Sequence, residues 1–141
     1  MAGLSKTFAA VLLILALLTA LVGCALPGRP LVDTQWRLVG GTIRAVELAT
    51  LSITAKFGDG QISGNSGVNR YQGSCTLGPG DAFSVGPLAS TRMAGPEPAM
   101  RAETAYLMLL GQATSYKRAD GKLTLYDKGG NESLIFESTG K

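Results

Sequence analysis

Leu51 to Leu77 reads LSITAKFGDGQISGNSGVNRYQGSCTL, and its period is two. Leu51, Ile53, Ala55 and Phe57 alternate with Ser52, Thr54 and Lys56, the pattern of a strand with one buried face. Gly58-Asp59-Gly60 is a hairpin turn, since glycine takes positive φ at little cost. Gln61-Ile62-Ser63 begins the return strand. Asn69, Tyr71, Gly73, Cys75 and Leu77 then alternate with Arg70, Gln72, Ser74 and Thr76 in another one-sided strand. Gly64, Gly67 and Gly73 punctuate this region, and glycine inside a strand marks a bulge, a sharp bend or a close backbone approach. The string reads as the device that bends the sheet into closure, with Asn69 satisfying a turn through local backbone bonds. A ligand or phosphate cradle is the alternative. A dinucleotide site does not fit, because Gly58-Asp59-Gly60 leads into a strand and not a helix.

The same period extends in both directions. Upstream, Trp36, Leu38 and Gly40 share one face of a first strand. Downstream, Gly78-Pro79-Gly80-Asp81 is a turn, and 82–85 and 88–92 are short strands broken at Gly86-Pro87. The spacing then changes. Pro96-Glu97-Pro98 opens a helix over 97–113, with proline tolerated in the first turn and an acid favourable at the positive dipole end. Ala99, Ala102, Tyr106, Leu109, Leu110 and Ala113 form its single apolar stripe. Strands resume at 115–117 and 122–126 around Asp120-Gly121, and Leu134 with Phe136 form a last inward pair after the turn at 127–131. The expected architecture is mainly β: a small antiparallel barrel or strongly curled sheet of about eight short strands. One helix, between the fifth and sixth strands, caps its open end.

The amino terminus has a different character. Met1–Thr7 carries Lys6, Phe8–Val22 reads FAAVLLILALLTALV without a charge, and Gly23-Cys24 follows. This is the layout of an export signal, and the apolar run falls short of the roughly 20 residues that span a bilayer as a helix. Leu21-Val22-Gly23-Cys24 looks like a bacterial lipobox, which implies a diacylglycerol on the Cys24 thiol and cleavage before it. Several acyl chains on one residue anchor firmly, whereas one binds only marginally. A retained amino-terminal helix and ordinary cleavage are the alternatives. The expected organisation is a signal at 1–23, a lipidated tether at 24–34 and a folded domain at 35–138. Ala25 follows the cysteine where an Asp would hold many Gram-negative lipoproteins at the inner membrane, so outer-membrane placement facing the periplasm follows by resemblance.

Composition removes several chemistries. There is no His, so Ser-His-Asp and Cys-His nucleophile systems and His-ligated zinc are excluded. Cys24 and Cys75 are too few for a four-cysteine zinc site, and with Cys24 lipidated, Cys75 reads as a buried small hydrophobe. Loss of Lys6 with the leader lowers the formal charge from +3 to +2, and the basic residues are scattered, so no nucleic-acid partner is expected. The carboxylates mostly read as turn, cap and strand-end residues. No catalytic residue, metal or cofactor is expected. A hydrolase would need two close carboxylates with shifted pKa values.

The segment from Trp36 to Phe136 resembles a META domain, the fold of the bacterial heat-shock lipoproteins called HslJ. The carrying residues are Trp36-Arg37-Leu38, Phe57, Gly64-x-x-Gly67-x-Asn69-x-Tyr71-x-Gly73, Thr91-Arg92-Met93-Ala94, the helix with Glu103 and Leu110, Leu123-Thr124-Leu125, and Leu134-Ile135-Phe136. Trp36, Gly64, Gly67, Asn69, Tyr71, Gly73, Thr91 and Met93 are thereby expected to be structural motif residues. The family commonly has Cys where this chain has Val68 and Gly95, and both are missing together, as expected of a pair. The resemblance implies a non-enzymatic envelope lipoprotein in stress tolerance, with secretion or motility links in some members. It acts through a structural or binding role, as a monomer anchored to the membrane at Cys24, with an unidentified envelope protein as its possible partner. A small-ligand-binding barrel or an envelope protein inhibitor is the alternative, and a cavity of roughly 300 Å³ or more would favour a ligand.

Overall fold

The computed structural model describes residues 31–43, 48 and 50–140. The expected signal at 1–23, Cys24 and most of the expected tether at 24–34 lie outside the described residues. Among the described residues nine strands are formed: β1 (Thr34–Gly41), β2 (Thr54–Gly58), β3 (Gln61–Asn65), β4 (Arg70–Leu77), β5 (Phe83–Val85), β6 (Ala89–Ser90), β7 (Ser115–Ala119), β8 (Lys122–Tyr126) and β9 (Glu132–Gly140). Helix α1 (Glu97–Gln112) lies between β6 and β7. Eight strands follow the antiparallel path β5-β4-β3-β2-β1-β9-β8-β7, and β6 pairs with β4 beside β5.

The expected small antiparallel barrel is therefore present. The helix follows the sixth strand instead of the fifth, because Gly86-Pro87 separates two strands that both pair with β4. The path nearly closes on itself. Ala82 bridges Ser115, and the Phe83 amide donates to the Thr114 carbonyl at 2.9 Å. Register shifts in the β1–β9 pair, between Gln35 and Trp36 and between Leu38 and Gly40, add the bending that closure requires.

Alternation places Trp36 and Leu38, Ala55 and Phe57, Leu123 and Leu125, and Leu134 and Phe136 inside. Ile53 is buried through an isolated bridge to Ser66 just ahead of β2, whereas Leu51 stays half-buried outside the strand. Leu31, expected in an extended tether, is fully buried, and the Asp33 amide donates to the Phe57 carbonyl. The domain thus begins before β1, because Leu31 gains more from core burial than from a solvated linker.

Two aromatic series organise the interior. Phe57, Phe83 and Tyr116 meet edge-to-face at 6.3 and 6.4 Å, linking β2, β5 and β7 where backbone closure is thinnest. Tyr71, Tyr106 and Phe136 meet at 5.6 and 6.4 Å, so α1 sends Tyr106 between β4 and β9. Trp36 is buried under the Arg118 guanidinium, 5.3 Å from the ring centroid, and its Nε1 donates to Thr34 Oγ1 at 2.7 Å.

Candidate functional site

The polar chemistry of the interior gathers where β4 begins. The chain turns through Ser66–Asn69, with Gly67 at φ +122°, a conformation that favours glycine. The Asn65 side chain holds this turn, its Oδ1 accepting from the Gly67 amide at 2.8 Å. Gly64 serves close approach: a Cβ there would stand 2.0 Å from the Thr54 carbonyl oxygen. At Gly73 a Cβ would meet Leu88 and Pro87 of the segment leading into β6.

Glu103 reaches this turn from the middle of α1. Its Oε2 accepts from the Asn69 amide at 2.7 Å and the Val68 amide at 3.1 Å, and lies 2.7 Å from Ser66 Oγ. Its Oε1 accepts from Asn69 Nδ2 at 2.7 Å. Burial alone would raise the pKa of this carboxyl. The bonds from Asn69, Ser66 and the Val68 amide outweigh burial and hold it below its ordinary 4.5. Glu103 therefore stays ionised, with its charge shared among donors 34 to 37 residues away.

Asn69 carries the connection onward. Its Oδ1 accepts from the Met93 amide at 2.7 Å and Thr91 Oγ1 at 2.9 Å, and Thr91 Oγ1 accepts from the Arg70 amide at 3.1 Å. One side chain thus ties helix, turn and the loop after β6. Two residues on, the Tyr71 hydroxyl donates to the Thr54 carbonyl at 2.9 Å, so its oxygen accepts a hydrogen bond from the Tyr106 hydroxyl at 2.6 Å. Burial raises both phenols above their ordinary range.

The motif residues expected from sequence fall into two groups. Gly64, Gly67, Asn69, Tyr71, Gly73, Thr91 and Met93 converge around β4. Met93 takes part through its backbone, since its side chain is 59% exposed. Trp36 sits apart on β1. The reading of Asn69 as a local turn former needs refinement: its backbone carbonyl closes the turn by accepting from the Ser66 amide at 2.8 Å, but its side chain makes long-range bonds and the local side-chain bond comes from Asn65. Glu103 is an exception among the carboxylates, which mostly read as turn, cap and strand-end residues: it is a buried mid-helix residue. The signal was present: Ala99, Glu103, Tyr106 and Leu110 follow three- and four-residue steps, so a carboxylate stood on the buried stripe. Ser66, fully buried, carried no such signal.

Val68 lies over Gly95 at this same corner. A Cβ on Gly95 would stand 3.4 Å from Val68 Cβ, a contact close to disulfide spacing.

The barrel interior is filled by side chains such as Ile53, Phe57, Tyr106, Leu123, Leu125 and Phe136, each at most 1% exposed. Hollows above the 300 Å³ mark open at the surface. One of about 360 Å³ lies over β4 and β6, one of about 320 Å³ beside Val32 and Leu77, and one of about 380 Å³ near Gln112 and Lys128. In the last, the Asp127 carboxylate is occupied by its own turn, accepting from the Asn131 and Gly129 amides at 2.9 and 2.8 Å. Among the described residues no group of three or more Cys, Asp or Glu side chains could hold a metal ion. No described helix is long and apolar enough to cross a membrane.

A family profile described as META domain matches residues 29–140. Among solved structures, a protein from Burkholderia xenovorans determined by NMR is 30% identical, with a TM-score of 0.62, and the alignment covers 79% of this chain and 85% of that one. A second NMR structure is 20% identical over 74% of this chain and 88% of its own, with a TM-score of 0.58. The crystal structure of a DUF4847 family protein from Bacteroides vulgatus shares the fold at 13% identity, with a TM-score of 0.55 over 76% and 93% of the two chains. No match was found among curated protein sequences.

Proposed function

The chain belongs to the META domain family, and from that membership we propose that it is a non-enzymatic protein of the bacterial cell envelope. In this reading a lipidated Cys24 holds it to the membrane, at the outer membrane facing the periplasm in a Gram-negative source. It contributes to envelope stress tolerance through a structural or binding role, as a monomer. The observation that carries the anchor is Leu21-Val22-Gly23-Cys24 directly after an uncharged apolar run. Leu31 is already core, so few residues separate the lipid from the barrel, and the domain stays close to the bilayer.

The state of Glu103 argues against a role for this one carboxyl as a general acid. A general acid must hold a proton near working pH, and burial would favour that. Here the surrounding donors reverse the effect of burial and commit the carboxylate to holding the turn. The alternative of a binding barrel gains a location from the hollows. With the interior filled, a ligand would bind on the outer wall and not inside the barrel.

Intact mass of the membrane-extracted chain tests the anchor. The expected species begins at residue 24 and carries added acyl mass, and Cys24→Ser releases the protein from the membrane fraction. An unmodified mass, or unchanged fractionation of the variant, contradicts it.

A further inference from the structure

The hollow of about 360 Å³ over β4 and β6 is lined by Arg70, Tyr71, Gln72, Ala89, Ser90 and Thr91. Its volume falls within the roughly 300–1,000 Å³ of small-molecule sites. The backbone beneath it is fixed by side-chain bonds on both sides of Arg70. Asn69 on one side of Arg70 is tied to Glu103, Thr91 and Met93, and Tyr71 on the other is tied to Thr54 and Tyr106. The Arg70 amide is itself fixed by Thr91 Oγ1. The side chains at the rim are the opposite. Arg70 is exposed, and among the described residues neither its guanidinium nor the Gln72 amide has a hydrogen-bond or ion-pair partner. No acidic side chain lines the hollow. Ser90 Oγ donates to the Thr91 carbonyl, which leaves its oxygen free to accept.

From this juxtaposition we propose that the hollow is a binding site for a small anionic, hydroxyl-bearing ligand of the sugar-acid or sugar-phosphate class. The guanidinium offers a planar fork that matches a carboxylate or phosphate. The Gln72 amide donates and accepts, and Ser90 accepts, which suits hydroxyl groups that do both. A rigid floor keeps the ordering cost of binding low. The inference is independent of the lipid anchor, and failure of either leaves the other standing.

The test uses the full chain in detergent, with backbone amide shifts followed during titration. The probes are D-glucuronate, D-glucose 6-phosphate and neutral D-glucose. Saturable shifts at 70–72 and 89–91 with one or both anions, and none with glucose at the same concentration, are expected. Whichever anion binds more tightly identifies the acid group. Arg70→Gln should weaken binding at least about tenfold, Arg70→Lys should fall between, and Lys122→Gln on β8 should change nothing. Equal shifts with glucose, no saturable shift with either anion, or undiminished affinity in a folded Arg70→Gln variant would overturn the proposal.

Discussion

The two ends of β4 are held by different physics. At its far end, Leu77 pairs with Phe83, and Phe83 packs between Phe57 and Tyr116. Contact there is apolar and loosely directional, and it closes a gap that, among the described residues, the backbone bridges at Ala82–Ser115 and Phe83–Thr114. At its near end, one ionised side chain on α1 gathers the donors of a turn. Contact there is directional and charge-assisted, and every buried side-chain polar atom described has a partner. The apolar end is held by ring-to-ring contacts and is sensitive to volume. The polar end tolerates shape poorly and is sensitive to protonation.

Removing volume gives the largest expected effect. Phe83→Ala should cost about 4 kcal/mol, as for other buried Phe truncations, with little dependence on pH. Denaturant melts at pH 7 and pH 4 check this, and a marginal loss would show that closure does not rest on the aromatic series. Glu103→Ala should cost about 3 kcal/mol at neutral pH, because stranding a buried donor costs about 1–3 kcal/mol and several are stranded together. The native carboxyl sits below its unfolded value, so its contribution is complete above the unfolded pKa and is lost as pH falls through the folded one. The gap between wild type and Glu103→Gln should therefore narrow below pH 4.5. A gap that widens on acidification breaks the comparison.

Sequence reading reached the apolar end more easily than the polar one, for a physical reason. Burial of a strand face writes a period of two into Ile53, Ala55 and Phe57, and each residue reports on its own environment. Leu123, Leu125, Leu134 and Phe136 were legible in the same way. The polar end depends on partners distant in the chain, and neither Ser66 nor Glu103 carries the other's address. Asn69 stands out in the sequence, yet its bonds to Glu103, Thr91 and Met93 follow from the fold and not from its neighbours in sequence. Leu31 was missed because Pro27 and Pro30 made its surroundings read as linker.

The corner joining the two ends can be sharpened covalently. Val68→Cys with Gly95→Cys should form a disulfide on mild oxidation, because the Cβ separation of 3.4 Å falls only slightly short of the usual range. It should raise stability by about 2 kcal/mol relative to the reduced form. Free thiols after oxidation would mean that turn and loop stand further apart than described. The smallest effect concerns Cys75, which is 6% exposed with its thiol pushed up to about 11 by burial. Alkylation by iodoacetamide at pH 8 should be at least about tenfold slower in the native protein than in denaturant. Equal rates would place the thiol in solvent.

Whether Glu103 is a fixed charge that fastens helix to barrel is tested most directly by its own titration. The side-chain carboxyl carbon of Glu103, observed by NMR from pH 2 to pH 8, should show a midpoint below 4.5, with the amide shifts of Val68 and Asn69 moving in step. A midpoint near neutrality, or Val68 and Asn69 amides indifferent to it, would contradict the account and return Glu103 to consideration as a proton donor.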